Sequence, residues 1–180
     1  EYEEFSINEI DAMNNNSQLD MLIANDTTHK KVYNKYNLNA KQMNAQTLDN
    51  IIEDLYTIDT VLTKADTLMI ITDVEPNDSI TTKIRYLYDH SGIFIVMHNI
   101  NRLQYNILNH MLVPDARILE EKEIEEFKQT YNIINLSKIP EISRFDPHAL
   151  AICLRPGQVC EFIRDSATAM NAKYYRVCLG

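Results

Sequence analysis

Two short apolar runs, LMIIT at 68–72 and IFIVM at 93–97, flank a segment of helical periodicity. Runs of this length, rich in β-branched residues and bounded by turn residues, read as buried strands. Between them Ile80, Ile84, Leu87 and Tyr88 repeat on one helical face, and Gly92 follows the last of them as a C′ residue. Asp78 or Ser79 is the predicted N-cap. Strand, helix and strand at this spacing predict a right-handed crossover joining parallel strands of a small mixed sheet. YNIL at 105–108 is predicted as a third strand of this block.

Upstream, Leu48, Ile51, Ile52, Leu55, Ile58 and Leu62 put one apolar stripe along a long helix. Residues 1–40 are polar and Asn-rich with weak periodicity, compatible with short helices or a partly ordered extension. Downstream of about residue 109 the pattern changes. Ile124, Phe127 and Tyr131 mark a short amphipathic helix whose outer face, EEKEIEEF, is strongly acidic. Asp146-Pro147 is an N-cap followed by proline at N1. Arg155-Pro156-Gly157-Gln158 satisfies a type II turn. VCEFI (159–163) and YYRVCL (174–179) then predict antiparallel strands joined through DSATAMNAK. The predicted fold is thus an α/β block over 1–108 and a small α+β module over 109–180.

Chemistry is sparse. The three glycines, Gly92, Gly157 and Gly180, are too scattered for a loop that cradles phosphate with backbone amides. His29, His90, His98, His110 and His148 form no metal-binding pair, and no nucleophile elbow occurs. Cys153, Cys160 and Cys178 sit among apolar neighbours at spacings that fit no zinc motif, and read as plain buried thiols in a reducing compartment. Asp73-Val74-Glu75 follows a buried strand but reads as a solvated turn before Pro76. Pro114-Asp115 with Glu120 and Lys122 spells a restriction-nuclease pattern, in which two acids would hold Mg²⁺. Its gap is too short to place the two halves on adjacent strands. No catalytic, metal or cofactor site is therefore expected.

The acidic start EYEEFSINEI is no signal peptide, and its lack of an initiator methionine suggests a fragment. The longest apolar runs fall far short of a membrane span. Charge is uneven within a net −9: residues 1–60 hold 11 acidic and 4 basic side chains, whereas residues 109–180 hold 10 and 9. Tight DNA binding rests largely on neutralising phosphates, so this chain is not expected to grip DNA alone.

The C-terminal block carries a more specific signal. Leu112-Val113-Pro114, Ile139-Pro140, Ile142, Asp146-Pro147, Gly157, Val159, Ile163-Arg164, Ser166, Thr168 and Tyr175-Arg176 occur in one order over about 70 residues. This set resembles the assembly domain of the fifth subunit of eukaryotic RNA polymerases, to which the corresponding archaeal polymerase subunit is similar. Glu141, Pro156, Ala167 and Met170 depart from the family pattern, Met170 standing where a glycine is usual. Residues 1–108 resemble the eukaryotic subunit's jaw domain in order of elements, with Ser91-Gly92-Ile93-Phe94-Ile95-Val96 the best local match.

The resemblance implies a jaw-like α/β domain at 1–108 and an α+β assembly domain at 109–180. It implies a non-catalytic polymerase subunit without cofactor, docked on the largest subunit beside neighbouring small subunits, with at most weak contact to downstream DNA. Neither a membrane nor a homo-oligomer is implied. The location would be intracellular: nuclear for a cellular enzyme, cytoplasm or virion for a large DNA virus. Asp146, Pro147, Gly157, Arg164, Ser166, Thr168, Tyr175 and Arg176 are the candidate docking or structural residues. Asp146 and Gly157 would act through the cap and the turn, Arg164 and Arg176 through hydrogen bonds to a partner. A Mg²⁺-dependent nuclease in the first block and a stand-alone adaptor are the alternatives.

Overall fold

A computed structural model describes residues 5–16, 18–26, 29–38 and 43–180. The acidic residues Glu1, Glu3 and Glu4 lie outside the described residues. The chain divides into two compact units, Glu1–Gln104 and Tyr105–Gly180.

In the first unit a four-stranded sheet runs β1 (Met21–Ala24), β2 (Lys31–Asn37), β3 (Thr67–Thr72) and β4 (Phe94–Asn99) in spatial order. β1 and β2 are antiparallel; β2, β3 and β4 are parallel. The sheet is mixed, and LMIIT and IFIVM supply its two most buried strands, β3 inside the sheet and β4 at one edge. Helix α1 (Ile7–Asn15) starts at a capping box in which Ser6 and Glu9 satisfy each other's backbone amides. α2 covers Ala45–Ile52, and α3 covers Asp78–Ser91 between β3 and β4. Leu48, Ile80 and Ile84 are almost wholly excluded from water, each such side chain contributing about 1.5–3 kcal/mol. Asp66, also buried, accepts from the backbone amides of Lys31 and Thr63, each at 2.7 Å. Burial alone would raise its pKa; these bonds and the Thr63 hydroxyl outweigh it and hold the carboxyl below its usual value.

Three expectations need correction here. The long helix over 47–62 stops early. After Ile52 the chain widens into a π-helical turn, Glu53–Ile58, closed by the Asp59 amide on the Asp54 carbonyl. The extra residue in that turn rotates the stripe out of register, so Ile58 faces solvent while Leu62 is buried from the segment beyond the helix. The cap of α3 is Asn77, whose side chain accepts from the Ile80 amide at 2.9 Å. Asp78 instead sits in the first turn, where its charge complements the helix dipole. YNIL forms no strand: Asn106 bonds back to the Leu108 amide and folds the segment into a 3₁₀ turn at Ile107–Asn109. The sheet's remaining strands come from the Asn-rich region, at β1 and β2. Gly92 does end α3 in the left-handed conformation, at φ 71°.

The second unit is a sheet of β5 (Asp115–Ile118), β7 (Val159–Ser166), β8 (Met170–Leu179) and β6 (Glu141–Ser143), in that spatial order. Its centre is the antiparallel hairpin of β7 and β8. Because side chains alternate along a strand, one face carries Cys160, Phe162 and Cys178. It packs on Ala149 of α5 (Pro147–Ala151) and on Leu154 just beyond that helix. The other face carries Val159 and Val177 and packs on α4 (Glu121–Thr130) through Phe127. Each helix packs on the buried part of one face.

Candidate docking surface

Glu161 lies at the centre of β7 with its side chain 2% exposed. A carboxylate so placed needs partners, and β5 and β8 supply three. Arg117 Nε donates to one oxygen at 2.6 Å; Lys173 Nζ at 2.8 Å and Tyr175 Oη at 3.1 Å reach the other. Burial pushes the Glu161 pKa up, but these donors outweigh it and hold the carboxyl below its ordinary value. Tyr175 responds oppositely: burial and the adjacent carboxylate push its hydroxyl up to about 12.

Arg117 also donates to Glu123 at 2.6 Å, and Glu123 closes the N-terminal capping box of α4 on the Glu120 amide. One guanidinium thereby ties β5, β7 and the start of α4 together. Beside it opens a groove of about 320 Å³ lined in part by Phe127, Tyr131 and Tyr175. Phe127 lies against Tyr175 and Tyr131, with ring centroids 4.3 and 5.0 Å away. Tyr131, expected in the helix stripe, is the C-cap of α4 and half exposed.

On the opposite face Arg164 and Arg176 converge on one ring. Each guanidinium carbon stands 5.2 Å from the centroid of Tyr174. Arg176 also donates to the Glu141 carbonyl at 3.1 Å.

The remaining candidates lie elsewhere in the unit. The Asp146 side chain caps α5 on the His148 amide at 2.9 Å, with Pro147 at N1. Gly157 has φ 86° between Arg155 and Gln158, whose carbonyl and amide close the turn at 3.1 Å. Its own amide bonds to the Cys178 carbonyl. Ser166 and Thr168 hold each other at the hairpin tip, hydroxyl to hydroxyl at 3.4 Å. The tip itself is tight, Ser166 pairing directly with Met170. Met170 adopts φ 56°, a left-handed conformation that favours glycine.

Sequence reasoning missed Arg117, Glu161, Lys173 and Tyr174. The signal was available: an alternating strand with a glutamate between Cys160 and Phe162 demands a buried charge and donors for it.

The nuclease-like residues do not converge. Asp115 opens β5 opposite Ile163, whereas Glu120 caps α4 and Lys122 lies in its first turn. Glu75 pairs with Arg102 at 2.9 Å. Among the described residues no group of three or more His, Cys, Asp or Glu side chains is arranged to hold a metal. Nor is any described helix long and apolar enough to cross a membrane.

Residues 105–178 match the family model described as "RNA polymerase Rpb5, C-terminal domain". The subunit Rpo5 of the DNA-directed RNA polymerase of Thermococcus kodakarensis is 43% identical over 74 residues, which cover 41% of this chain and 89% of that protein. This chain belongs to the Rpb5 family of RNA polymerase subunits. Rpo5 of Methanococcoides burtonii is 35% identical over 77 residues, covering 43% of this chain and 97% of its own length. Rpo5 of Aeropyrum pernix is 40% identical over 72 residues, covering 39% and 77%. Rpb5-family proteins are accessory, non-catalytic subunits of a multisubunit DNA-directed RNA polymerase. The Rpb5 match begins at residue 105, where the second compact unit also begins.

Proposed function

We propose that Tyr105–Gly180 docks this chain on the largest subunit of a DNA-directed RNA polymerase, near the downstream end of its cleft. The first unit then serves as the jaw-like domain, projecting toward entering DNA. The observation that carries the reading is the coincidence of the Rpb5 match with one complete compact unit. Exposed apolar side chains within that unit support a protein contact: Met111 is 91% and Leu112 79% exposed. Residues 144–180 hold five basic side chains against three acidic ones, a local excess suited to an acidic partner surface.

The acidic first 60 residues favour a jaw that leaves most DNA binding to larger subunits. Such a protein works inside the cell, in the nucleus for a cellular eukaryotic polymerase and in cytoplasm or virion for a viral one. Cross-linking of the purified polymerase tests the placement. Lys122, Lys138 and Lys173 are expected to link to the largest subunit; links solely to other subunits would contradict it.

A further inference from the structure

Strand β8 is ten residues long, but its outer neighbour β6 has only three, paired with Val177, Cys178 and Leu179. Among the described residues, β8 over 170–176 therefore has a strand neighbour on the β7 side alone. The ladder stops there for a chemical reason: the residue before Glu141 is Pro140, which has no amide hydrogen to offer the next β8 carbonyl. The Val177 amide bonds to the Pro140 carbonyl at 3.0 Å, which fixes the side from which odd-numbered residues of β8 present their backbone. By the alternation of an antiparallel pair, the amide and carbonyl groups of Lys173 and Tyr175 face the same way, along the uncovered edge.

Natural sheets usually protect such an edge, often with a lysine held out over it. Here Lys173 does not serve that purpose, because its Nζ turns back to Glu161. Beside the edge, on the α5 face, stand the Arg164 and Arg176 guanidiniums, held by the Tyr174 ring. Ala172, between them in sequence, leaves room for a neighbouring side chain.

We propose that the open edge of β8 over 171–175 receives an extended, acidic segment of a partner polymerase subunit, which adds to this sheet as a fifth strand. The added backbone would bond to Lys173 and Tyr175, and carboxylates at alternate positions would meet Arg164 and Arg176. A second copy of this chain fits less well. Edge-to-edge pairing centred on Tyr174 would gather four guanidiniums on one face, a like-charge arrangement. The proposal rests on the docking reading above and adds the element and chemistry of the contact.

The test is recovery of the two large polymerase subunits on the tagged full chain, comparing Lys173→Pro with Lys173→Ala. Both remove the ammonium, but only proline removes the outward amide hydrogen, a change that edge strands tolerate. Affinity of Lys173→Pro is expected to fall about tenfold or more below that of Lys173→Ala. Arg164→Glu with Arg176→Glu is expected to cost about tenfold as well. Equal recovery of the proline and alanine variants would overturn the added strand, and unchanged recovery of the double glutamate variant would overturn its acidic character.

An isolated wild-type chain that elutes as a dimer, reverting to monomer with Lys173→Pro, would assign the edge to a second copy instead. If Lys173→Pro does not fold, amide exchange of the wild type decides. The Lys173 and Tyr175 amides are expected to exchange about 100-fold more slowly in the assembled polymerase than in the free chain; unchanged exchange would overturn the proposal. Failure of the wild-type chain to recover any large subunit would instead sink the docking reading itself.

Discussion

Arg117 holds Glu161 through a single short contact, Nε to carboxylate at 2.6 Å, across the β5–β7 pair. The carboxylate is buried while the guanidinium is half exposed. Removing either partner thus has different consequences. Glu161→Gln is expected to destabilise the chain by roughly 1–3 kcal/mol, since the amide cannot serve all three donors. Arg117→Ala strands the buried charge and is expected to lower the urea midpoint too. A midpoint unchanged in both variants would show the cluster to be energetically idle.

The same carboxylate sets a pH dependence. Its folded pKa lies below the ordinary value of 4.5, so the stability it adds is present above about pH 4.5 and is lost as pH falls through the folded pKa. Between about pH 5 and pH 3, wild-type stability is expected to fall more steeply than that of Glu161→Gln. Parallel slopes in urea titrations across that range would contradict the assignment.

Met170 and Gly157 form a matched pair of backbone tests. Both have positive φ, and among the described residues nothing beyond its chain neighbours lies within 4 Å of the place a β-carbon would take at Gly157. Met170→Gly is expected to stabilise by about 0.5–1 kcal/mol, because an 85% exposed side chain contributes little packing. Gly157→Ala is expected to destabilise by about 1 kcal/mol through conformation alone. Denaturation midpoints that move the opposite way in either variant would refute the strain account.

Asp146→Ala removes the cap of α5 and is expected to cost about 1 kcal/mol, whereas Asp146→Asn retains an acceptor and most of the stability. Equal losses in the two variants, measured by thermal unfolding, would mean that the charge rather than the cap matters.

Burial pushes the Cys160 and Cys178 thiols up to about 11, and Cys153 upward as well. A thiol reagent at about pH 8 is therefore expected to leave Cys160 and Cys178 unmodified in the folded chain and to label them on unfolding. Stoichiometric labelling of either in native conditions would contradict their burial.

Legibility followed local physics. The turn at Gly157, the cap at Asp146 and the strand segments at 68–72 and 159–163 were readable because each rests on a few adjacent residues. The π-helical turn at Glu53–Ile58 was not, because a one-residue register shift leaves no mark in composition. β2 was hidden because its half-buried KVYNKYN pattern lacks an apolar run, and β1 because its four apolar residues are short and largely exposed. The Glu161 cluster joins Arg117, Lys173 and Tyr175 from three strands, and only their pairing brings them together. The candidate residues fell into separate places for the same reason: Arg164 and Arg176 converge through Tyr174, Ser166 and Thr168 at the hairpin tip, and Asp146 and Pro147 at the start of α5.

The most direct measurement is affinity purification of the full-length chain from its native cell or virus-infected host, with the co-purifying proteins identified by mass spectrometry. The two large subunits of a DNA-directed RNA polymerase are expected in stoichiometric amounts. Their absence, with the tagged chain soluble and folded, would contradict the assignment of this protein as a docked polymerase subunit.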